Sequence, residues 1–211
     1  MKEKRWFPIL YMFAVTAFFS TIVIAFAQVT RQTVRANEAL AIEKCVLAVF
    51  PELPTEGATA PELHRRFVEN VTQPTPVSGG AYTLRKGAVT SAYAVPLSGK
   101  GFWAPIKGVI GVRADRQTIT GICFYEQNET PGLGAQITTL EFTSQFKGKL
   151  ISDTGKPINI KRPAAELGKS DVHAVTGATQ TSTRLEKIIN DGLTKWLQTM
   201  SETAEAGGMR Q

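Results

Sequence analysis

The amino-acid sequence predicts an α+β protein, in which one N-terminal transmembrane helix precedes a single domain of antiparallel strands flanked by helices. Three observations lead to this prediction: a long apolar stretch near the start, strand-like runs from residue 81, and an amphipathic segment near the end. The chain has 211 residues, of which 43% are hydrophobic and 20% charged, so it can bury a core. We expect four regions: 1–30, a cytoplasmic N-terminus and transmembrane helix; 31–80, a membrane-proximal helix and an irregular segment; 81–200, the strand-rich domain; and 201–211, a flexible tail.

The apolar stretch at the start of the chain is long enough to cross a membrane. It carries no charge from Trp6 to Thr30, whereas about 20 residues suffice for a spanning helix. Basic residues crowd its amino end and favour a cytoplasmic N-terminus: Lys2, Lys4 and Arg5. The small residues Ala25 and Ala27 resemble a signal-peptidase site, but the apolar run exceeds the roughly 7–15 residues of a cleavable signal core. We therefore expect a retained anchor.

Beyond the membrane, the pattern predicts a helix that ends before Pro51 and a short helix near residues 61–71. Strand-like runs follow from Ala81, and two of them flank a turn at 114–115, which predicts a hairpin. The final segment places apolar residues on one stripe at helical spacing: Leu185, Ile188, Ile189, Leu193, Trp196 and Leu197.

Charge and cysteine content exclude several classes of protein. The formal net charge is +6, but the basic residues are scattered along the chain rather than gathered in an arm or a helix, so we expect no nucleic-acid partner. The two cysteines, Cys45 and Cys123, are far apart and have no flanking histidines, which argues against a metal site. A disulfide and two buried thiols both remain open.

The Thr- and Ser-rich segment before the last helix has the chemistry of an anion site. Thr183 and Glu186 form a capping-box pattern, which predicts that the helix begins at about residue 184. Free N–H groups and the positive end of the helix dipole favour an anion there. Gly177 and Ala178 leave room near the backbone, and neighbouring hydroxyls can donate hydrogen bonds to a phosphate. The alternative is an elaborate helix cap that binds nothing.

Two further glycine-rich segments stand out. Residues 128–137 place Gly132 and Gly134 around Leu133, directly after a predicted strand, where they form either a tight turn or a close approach to a ligand. In residues 98–112, glycines surround Phe102 and Trp103. Trp103 is either a core residue or a ring that packs against a planar ligand.

Taken together, these segments resemble a known family. GKGFW at 99–103, YEQNETPGLGAQI at 125–137 and TGAT at 176–179 occur in this order behind one membrane helix. This arrangement resembles NqrC, the FMN-binding subunit of the sodium-translocating NADH:quinone oxidoreductase, and, less closely, RnfG, the related subunit of the Rnf electron-transfer complex. The resemblance covers nearly the whole chain, least clearly residues 51–80, and implies that 81–200 is an FMN-binding domain.

The resemblance also implies a covalent flavin and its surroundings. In this family the FMN phosphate is esterified to the last threonine of the TGAT-type motif, which is Thr179 here, with Thr181 as the second candidate. The other residues expected at the flavin are Thr176, Gly177 and Ala178 in the loop, Trp103 as a wall, and Glu129, Thr130, Leu133 and Gly134 beside the ring. One departure is that His173 stands where the family usually carries an aspartate recognised by the flavin transferase, while Asp171 is displaced by two residues.

We therefore expect an electron-carrying subunit with no complete active site of its own. The chain has no nicotinamide-binding GxGxxG motif after a strand, and no nucleophile, base and acid set, so no catalytic residue is assigned. The resemblance implies a location in the bacterial inner membrane, with the FMN domain on the periplasmic side. Its expected partners are other membrane subunits, membrane lipid and a flavin transferase. The alternatives are a stand-alone membrane-anchored flavoprotein and a structural subunit without flavin.

Overall fold

The computed structural model describes residues 6–87 and 89–208, without the side chains of Lys86 and of residues 204–208. The predicted basic N-terminus and the last three residues of the predicted tail lie outside the described residues. The chain divides into two compact units, with the boundary between Leu40 and Ala41.

The helices are α1 (Trp6–Ala48), α2 (Ala60–Asn70), α3 (Leu140–Thr143) and α4 (Thr179–Gly208). The strands are β1 (Val71–Thr72), β2 (Tyr82–Lys86), β3 (Val89–Lys100), β4 (Pro105–Arg113), β5 (Ile119–Glu126), β6 (Asn159–Lys161) and β7 (Asp171–His173).

The first unit consists of the predicted apolar helix. α1 is the one helix in the described part of the chain that is long and apolar enough to cross a bilayer, judged by length and composition. Its apolar window has a mean hydropathy of 2.3, and none of that window is buried. No glycine or proline follows Pro8 within α1, which explains why the helix is continuous up to Ala48.

The second unit is built on a five-stranded antiparallel sheet in the order β1-β2-β3-β4-β5. β4 and β5 form the predicted hairpin. The turn between them is held by Asp115, whose carboxylate accepts hydrogen bonds from the backbone N–H groups of Gln117 and Thr118, both at 2.9 Å. The predicted α+β class is confirmed, since helices flank this sheet.

Helix α4 covers one face of the sheet. Its predicted apolar stripe is buried in the core, from Leu185 to Trp196, and Leu197 packs against it. Gly99 on β3 permits the close approach, because a Cβ there would lie 2.5 Å from Ile188 Cγ1. Trp196 also donates from Nε1 to the carbonyl oxygen of Ser78 at 3.0 Å, which ties the helix to the loop before β2.

The opposite face of the sheet is covered by residues 45–50. On β4, Gly111 alternates with Ile110, so the two residues point to opposite faces of the pleat. A Cβ at Gly111 would lie 2.9 Å from Val49 Cβ. Cys45 and Cys123 are joined in a disulfide, so of the two alternatives left open by the sequence the structure shows the bonded one.

Helix α4 begins five residues earlier than the sequence predicts. Its first residue is Thr179, and the predicted cap at Thr183 is wrong because that hydroxyl donates to the Thr179 carbonyl oxygen at 2.9 Å, inside the helix. The helical hydrogen bonds start at Ala178, whose carbonyl oxygen accepts from Ser182 N. Gly177, with φ of 76°, makes the turn that precedes this bond. The helix start therefore depends on the glycine turn rather than on a capping box.

Candidate functional site

The three glycine- and threonine-rich segments of the sequence meet at one cleft. The cleft has a volume of about 210 Å³. Its lining residues are Phe102, Thr130, Leu133, Gly134, Gly177, Ala178, Thr179, Gln180 and Thr181. They come from the turn between β3 and β4, the segment after β5, and the loop and first residues of α4, which are distant in sequence. Of the predicted site residues, only Thr176, Trp103 and Glu129 do not line the cleft itself.

Aromatic and aliphatic side chains form the apolar rim of this cleft. Phe102 is 41% exposed and Leu133 is 44% exposed. Trp103 is 67% exposed and lies edge-on to Phe102, with ring centroids 4.9 Å apart, so it is not a core residue. Its indole Nε1 donates to the Thr130 hydroxyl oxygen at 3.1 Å. Exposed apolar rings beside a polar cleft are suited to a planar ligand.

Glu129 lies behind the cleft rather than in it. Only 4% of the residue is exposed. One carboxylate oxygen accepts hydrogen bonds from the backbone N–H groups of Phe102 at 2.9 Å and Trp103 at 3.1 Å. The other accepts from the Thr181 hydroxyl at 2.6 Å. This carboxylate therefore connects the three segments that form the cleft.

The two candidate threonines differ in accessibility. Thr179 is exposed, and it lines both the cleft and the cavity next to it. Thr181 is 4% exposed, and its hydroxyl proton is directed at Glu129. Modification of Thr181 would require breaking a buried hydrogen bond to a carboxylate. Of the two threonines, Thr179 is therefore the one with an accessible hydroxyl.

The cavity next to the cleft has the features of an anion site. It has a volume of about 670 Å³, and Thr176, Thr179 and Thr183 line it at the N-terminus of α4. A third cavity, of about 640 Å³, shares Thr176 with it. Arg162 is the only Lys or Arg among the described residues that line these three cavities. Its position next to a helix N-terminus is favourable for a phosphate.

Sequence reasoning missed Phe102, Gln180, Arg162 and Arg184. Arg184 places its guanidinium carbon 5.8 Å from the centroid of the Phe102 ring. Within the described part of the chain, its buried Nε has no hydrogen-bond partner. Nothing local in the sequence marks Arg162 or Arg184, because each meets the site only through the tertiary fold. Phe102 was accessible to sequence reasoning, since it adjoins Trp103 in the same motif.

His173 and Asp171 occupy different environments beside this site. The His173 ring nitrogen Nε2 lies 2.9 Å from the Ala165 carbonyl oxygen, and the residue lines the third cavity. Asp171 is buried and paired elsewhere: Oδ2 lies 2.8 Å from Lys161 Nζ and accepts from the Gly168 N–H at 2.7 Å. Asp171 is therefore engaged by Lys161 and Gly168, and it is not among the residues that line the three cavities.

Asp171→Asn is expected to destabilise the fold in a pH-dependent manner. The hydrogen bond from Lys161, followed by those from Gly168 and Asn159, lowers the pKa of the Asp171 carboxyl below its usual value despite the opposing effect of burial. A lowered pKa stabilises the folded state above the unfolded pKa, near 3.8, and this stabilisation is lost as the pH falls through the folded pKa. The midpoint of urea unfolding should therefore fall in the variant at pH 7 and approach that of the wild type as the pH is lowered from 3.8 through the lowered pKa of the folded state.

Asp153→Asn is the matched control for this measurement, since Asp153 is an exposed aspartate in the loop between α3 and β6. Its substitution should leave the midpoint unchanged at both pH values. An equal loss of stability in Asp171→Asn at neutral and at acidic pH would contradict the ionic role assigned to Asp171.

Comparisons with known proteins identify sequences and folds similar to those of this chain. The profile of the FMN-binding domain family matches residues 101–194. NqrC of Vibrio anguillarum, a subunit of the Na(+)-translocating NADH-quinone reductase, is 36% identical over 108 residues, which cover 50% of this chain and 42% of that protein. The corresponding protein of Chlamydia pneumoniae is 43% identical over 85 residues, covering 40% of this chain and 26% of that protein. This chain thus matches less than half the length of these relatives.

Two crystal structures have a similar fold. That of NqrC from Parabacteroides distasonis has a TM-score of 0.66 at 20% identity and covers 80% of this chain and 96% of its own. That of NqrC from Shewanella oneidensis has a TM-score of 0.52 at 27% identity, covering 63% and 70% respectively. The resemblance stated from the sequence is confirmed: this chain is similar to NqrC of the Na(+)-translocating NADH-quinone reductase, and its residues 101–194 match the FMN-binding domain family.

Proposed function

We propose that this chain is a membrane-anchored flavoprotein subunit that holds FMN as a phosphoester of Thr179 and relays electrons within an ion-translocating NADH:quinone oxidoreductase. The observation that carries the proposal is the position of Thr179. Thr179 is exposed and is the first residue of α4. It lines both the apolar-rimmed cleft and the adjoining cavity, which Arg162 also lines.

The proposed phosphoester agrees with the electrostatics around Thr179. A phosphodiester keeps one negative charge, and the free N–H groups and the dipole at the start of α4 favour that charge. Arg162 adds the only Lys or Arg side chain among the described residues lining the three cavities. The hydroxyl of Thr176 lines the same cavity and can donate a further hydrogen bond.

The residues of the cleft also fit the flavin ring. Phe102 and Leu133 offer apolar surface, and the Thr130 hydroxyl accepts from Trp103, which leaves its own proton available for donation. At Gly177, a Cβ would lie 3.1 Å from Leu133 Cδ2, so the absence of a side chain allows this loop to approach Leu133 without crowding the cleft. Bound FMN would supply reversible electron transfer, while the chain would bind and orient it.

The proposed setting is the bacterial inner membrane. α1 would span it once with its N-terminus in the cytoplasm, in contact with lipid and with other membrane subunits of the complex. Residues 81–200 would then form the FMN-binding domain on the periplasmic side, and the matched residues 101–194 fall inside that range. Maturation would require a flavin transferase and a flavin donor activated at its phosphate: the Thr179 hydroxyl would form the new P–O bond and lose its proton, and the activating group would leave, because direct loss of water between a phosphate and an alcohol is unfavourable in water.

The proposal is tested by producing the full chain together with a bacterial flavin transferase. The detergent-purified protein is denatured, and its intact mass and in-gel flavin fluorescence are measured. The mass should exceed that of the bare chain by one FMN less one water. The same chain produced without the transferase is the control and should have the bare mass. A chain that carries neither covalent nor non-covalent flavin after co-production would reject the proposed function.

A further inference from the structure

We propose that Glu129 is a positioning residue: its buried carboxylate holds the Phe102–Trp103 segment and the first turn of α4 on the two sides of the cleft, without contacting the ligand. The identity of that ligand rests on the proposed function, whereas the hydrogen bonds of Glu129 belong to the chain alone.

The hydrogen bonds of Glu129 reach across long distances in sequence. Its donors are the backbone N–H groups of Phe102 and Trp103 and the hydroxyl of Thr181. Thr181 is 52 residues away in sequence, and Phe102 is 27 residues away. Both carboxylate oxygens are therefore engaged by the protein, and the residue is only 4% exposed. A carboxylate in this position shapes the cleft from behind.

Two glycines of the motifs provide the space that this carboxylate occupies. A Cβ at Gly101 would lie 2.5 Å from Glu129 Oε1. A Cβ at Gly134 would lie 2.9 Å from Glu129 Cβ and 2.6 Å from the Thr181 hydroxyl oxygen. None of these three distances allows a side chain at position 101 or 134 unless its neighbours shift. At Gly134 the absence of a side chain is explained by close packing around Glu129 and Thr181, independently of any ligand, and at Gly101 the Ala104 carbonyl oxygen, 2.6 Å from that Cβ, adds to the contact with Glu129.

The donors of Glu129 would lose their acceptor if the carboxylate were removed. In Glu129→Ala, the N–H groups of Phe102 and Trp103 would be left unpaired unless the segment opens to water. In Glu129→Gln, the amide oxygen can still accept from both N–H groups. The amide NH₂ can then donate to Thr181, whose hydroxyl rotates to accept. In Glu129→Asp the charge remains, but the side chain is one methylene too short to reach all three donors.

The test uses the full chain in detergent without flavin, with hydrogen exchange of the Phe102 and Trp103 amides as the measurement. Glu129→Ala and Glu129→Asp should each raise the exchange rates of these two amides by about tenfold or more, and Glu129→Gln by less than about threefold. Glu126→Ala is the matched control. Its carboxylate, three residues earlier on β5, pairs with Lys107 at 2.8 Å, so its loss should leave both rates unchanged. Glu129→Asp keeps the negative charge and most of the side-chain volume, so it is the milder substitution. If Glu129→Ala does not fold, the exchange rates are measured on Glu129→Asp instead.

A second measurement uses the same variants after co-production with the transferase. The visible circular dichroism of the flavin reports how rigidly the ring is held. This dichroism should weaken in Glu129→Asp and Glu129→Ala and be retained in Glu129→Gln.

Unchanged exchange rates of the Phe102 and Trp103 amides in both Glu129→Ala and Glu129→Asp would overturn the positioning role, even in a chain that carries flavin. A flavin signal that Glu129→Gln alters as strongly as Glu129→Ala would overturn it as well, since it would indicate direct contact. A wild-type chain without flavin would reject the proposed function and leave the exchange result standing.

Discussion

Thr179→Ala is expected to remove all covalently bound flavin from the chain. The residue is exposed, begins α4 and lines both the cleft and the cavity containing Arg162. Alanine keeps the helix start, because the first helical hydrogen bond comes from the backbone of Ser182 to Ala178. The loss should therefore be chemical rather than structural. The measurement is in-gel flavin fluorescence of the denatured protein together with its intact mass.

Thr183→Ala is the matched control for this experiment. Thr183 is another exposed threonine of α4, and it lines the same cavity as Thr179. We expect its alanine variant to keep the full flavin content, because its hydroxyl is already donated to the helix backbone. Flavin that persists in Thr179→Ala but disappears in Thr181→Ala would move the attachment to Thr181 and contradict the assignment.

Reduction of the disulfide between Cys45 and Cys123 is expected to cause the largest loss of stability. The bond joins residues 78 positions apart. By loop-closure entropy, a crosslink over a loop of this size stabilises by about 4.5 kcal/mol, within a usual range of roughly 2–5 kcal/mol. Residues 45–50 remain packed on the sheet through Val49, whose carbonyl oxygen accepts from the Thr120 hydroxyl at 2.6 Å. The reduced protein should therefore still fold, with a lower free energy of unfolding.

The measurement is urea unfolding of the full chain in detergent, followed by the fluorescence of buried Trp196, with and without a reductant. The double variant Cys45→Ala/Cys123→Ala is the control, and the reductant should not change its unfolding curve. If the reductant leaves the wild-type curve unchanged while thiol titration shows two free cysteines, the predicted contribution of the disulfide is wrong.

The sequence predicted the elements whose causes are local. The uncharged run from Trp6 indicated α1, the alternating runs around the turn at 114–115 indicated the β4–β5 hairpin, and the apolar stripe indicated α4. Each of these patterns can be recognised within one segment of the chain, without knowledge of the residues that the segment packs against. The beginning of α4 was placed too late because the capping-box pattern is also local, and a glycine turn at Gly177 takes precedence over it.

For the candidate site, the sequence identified the segments but not their arrangement. The motifs named Thr179 and Thr181 together, and only the fold separates them, since it buries Thr181 against Glu129 and leaves Thr179 exposed. The motifs likewise placed Glu129 at the flavin, whereas the structure directs its carboxylate to the protein's own donors. Local patterns do not carry this information.

The sequence by itself determined that this chain has an apolar anchor candidate, an α+β domain and the three motif segments that meet at the cleft. Only the tertiary structure decided that Cys45 meets Cys123 and that Arg162 and Arg184 lie near that site. The physical reason is the range of the interactions. Propensity and periodicity act between near neighbours, whereas burial, ion pairing and access to solvent depend on residues that the chain brings together from far apart.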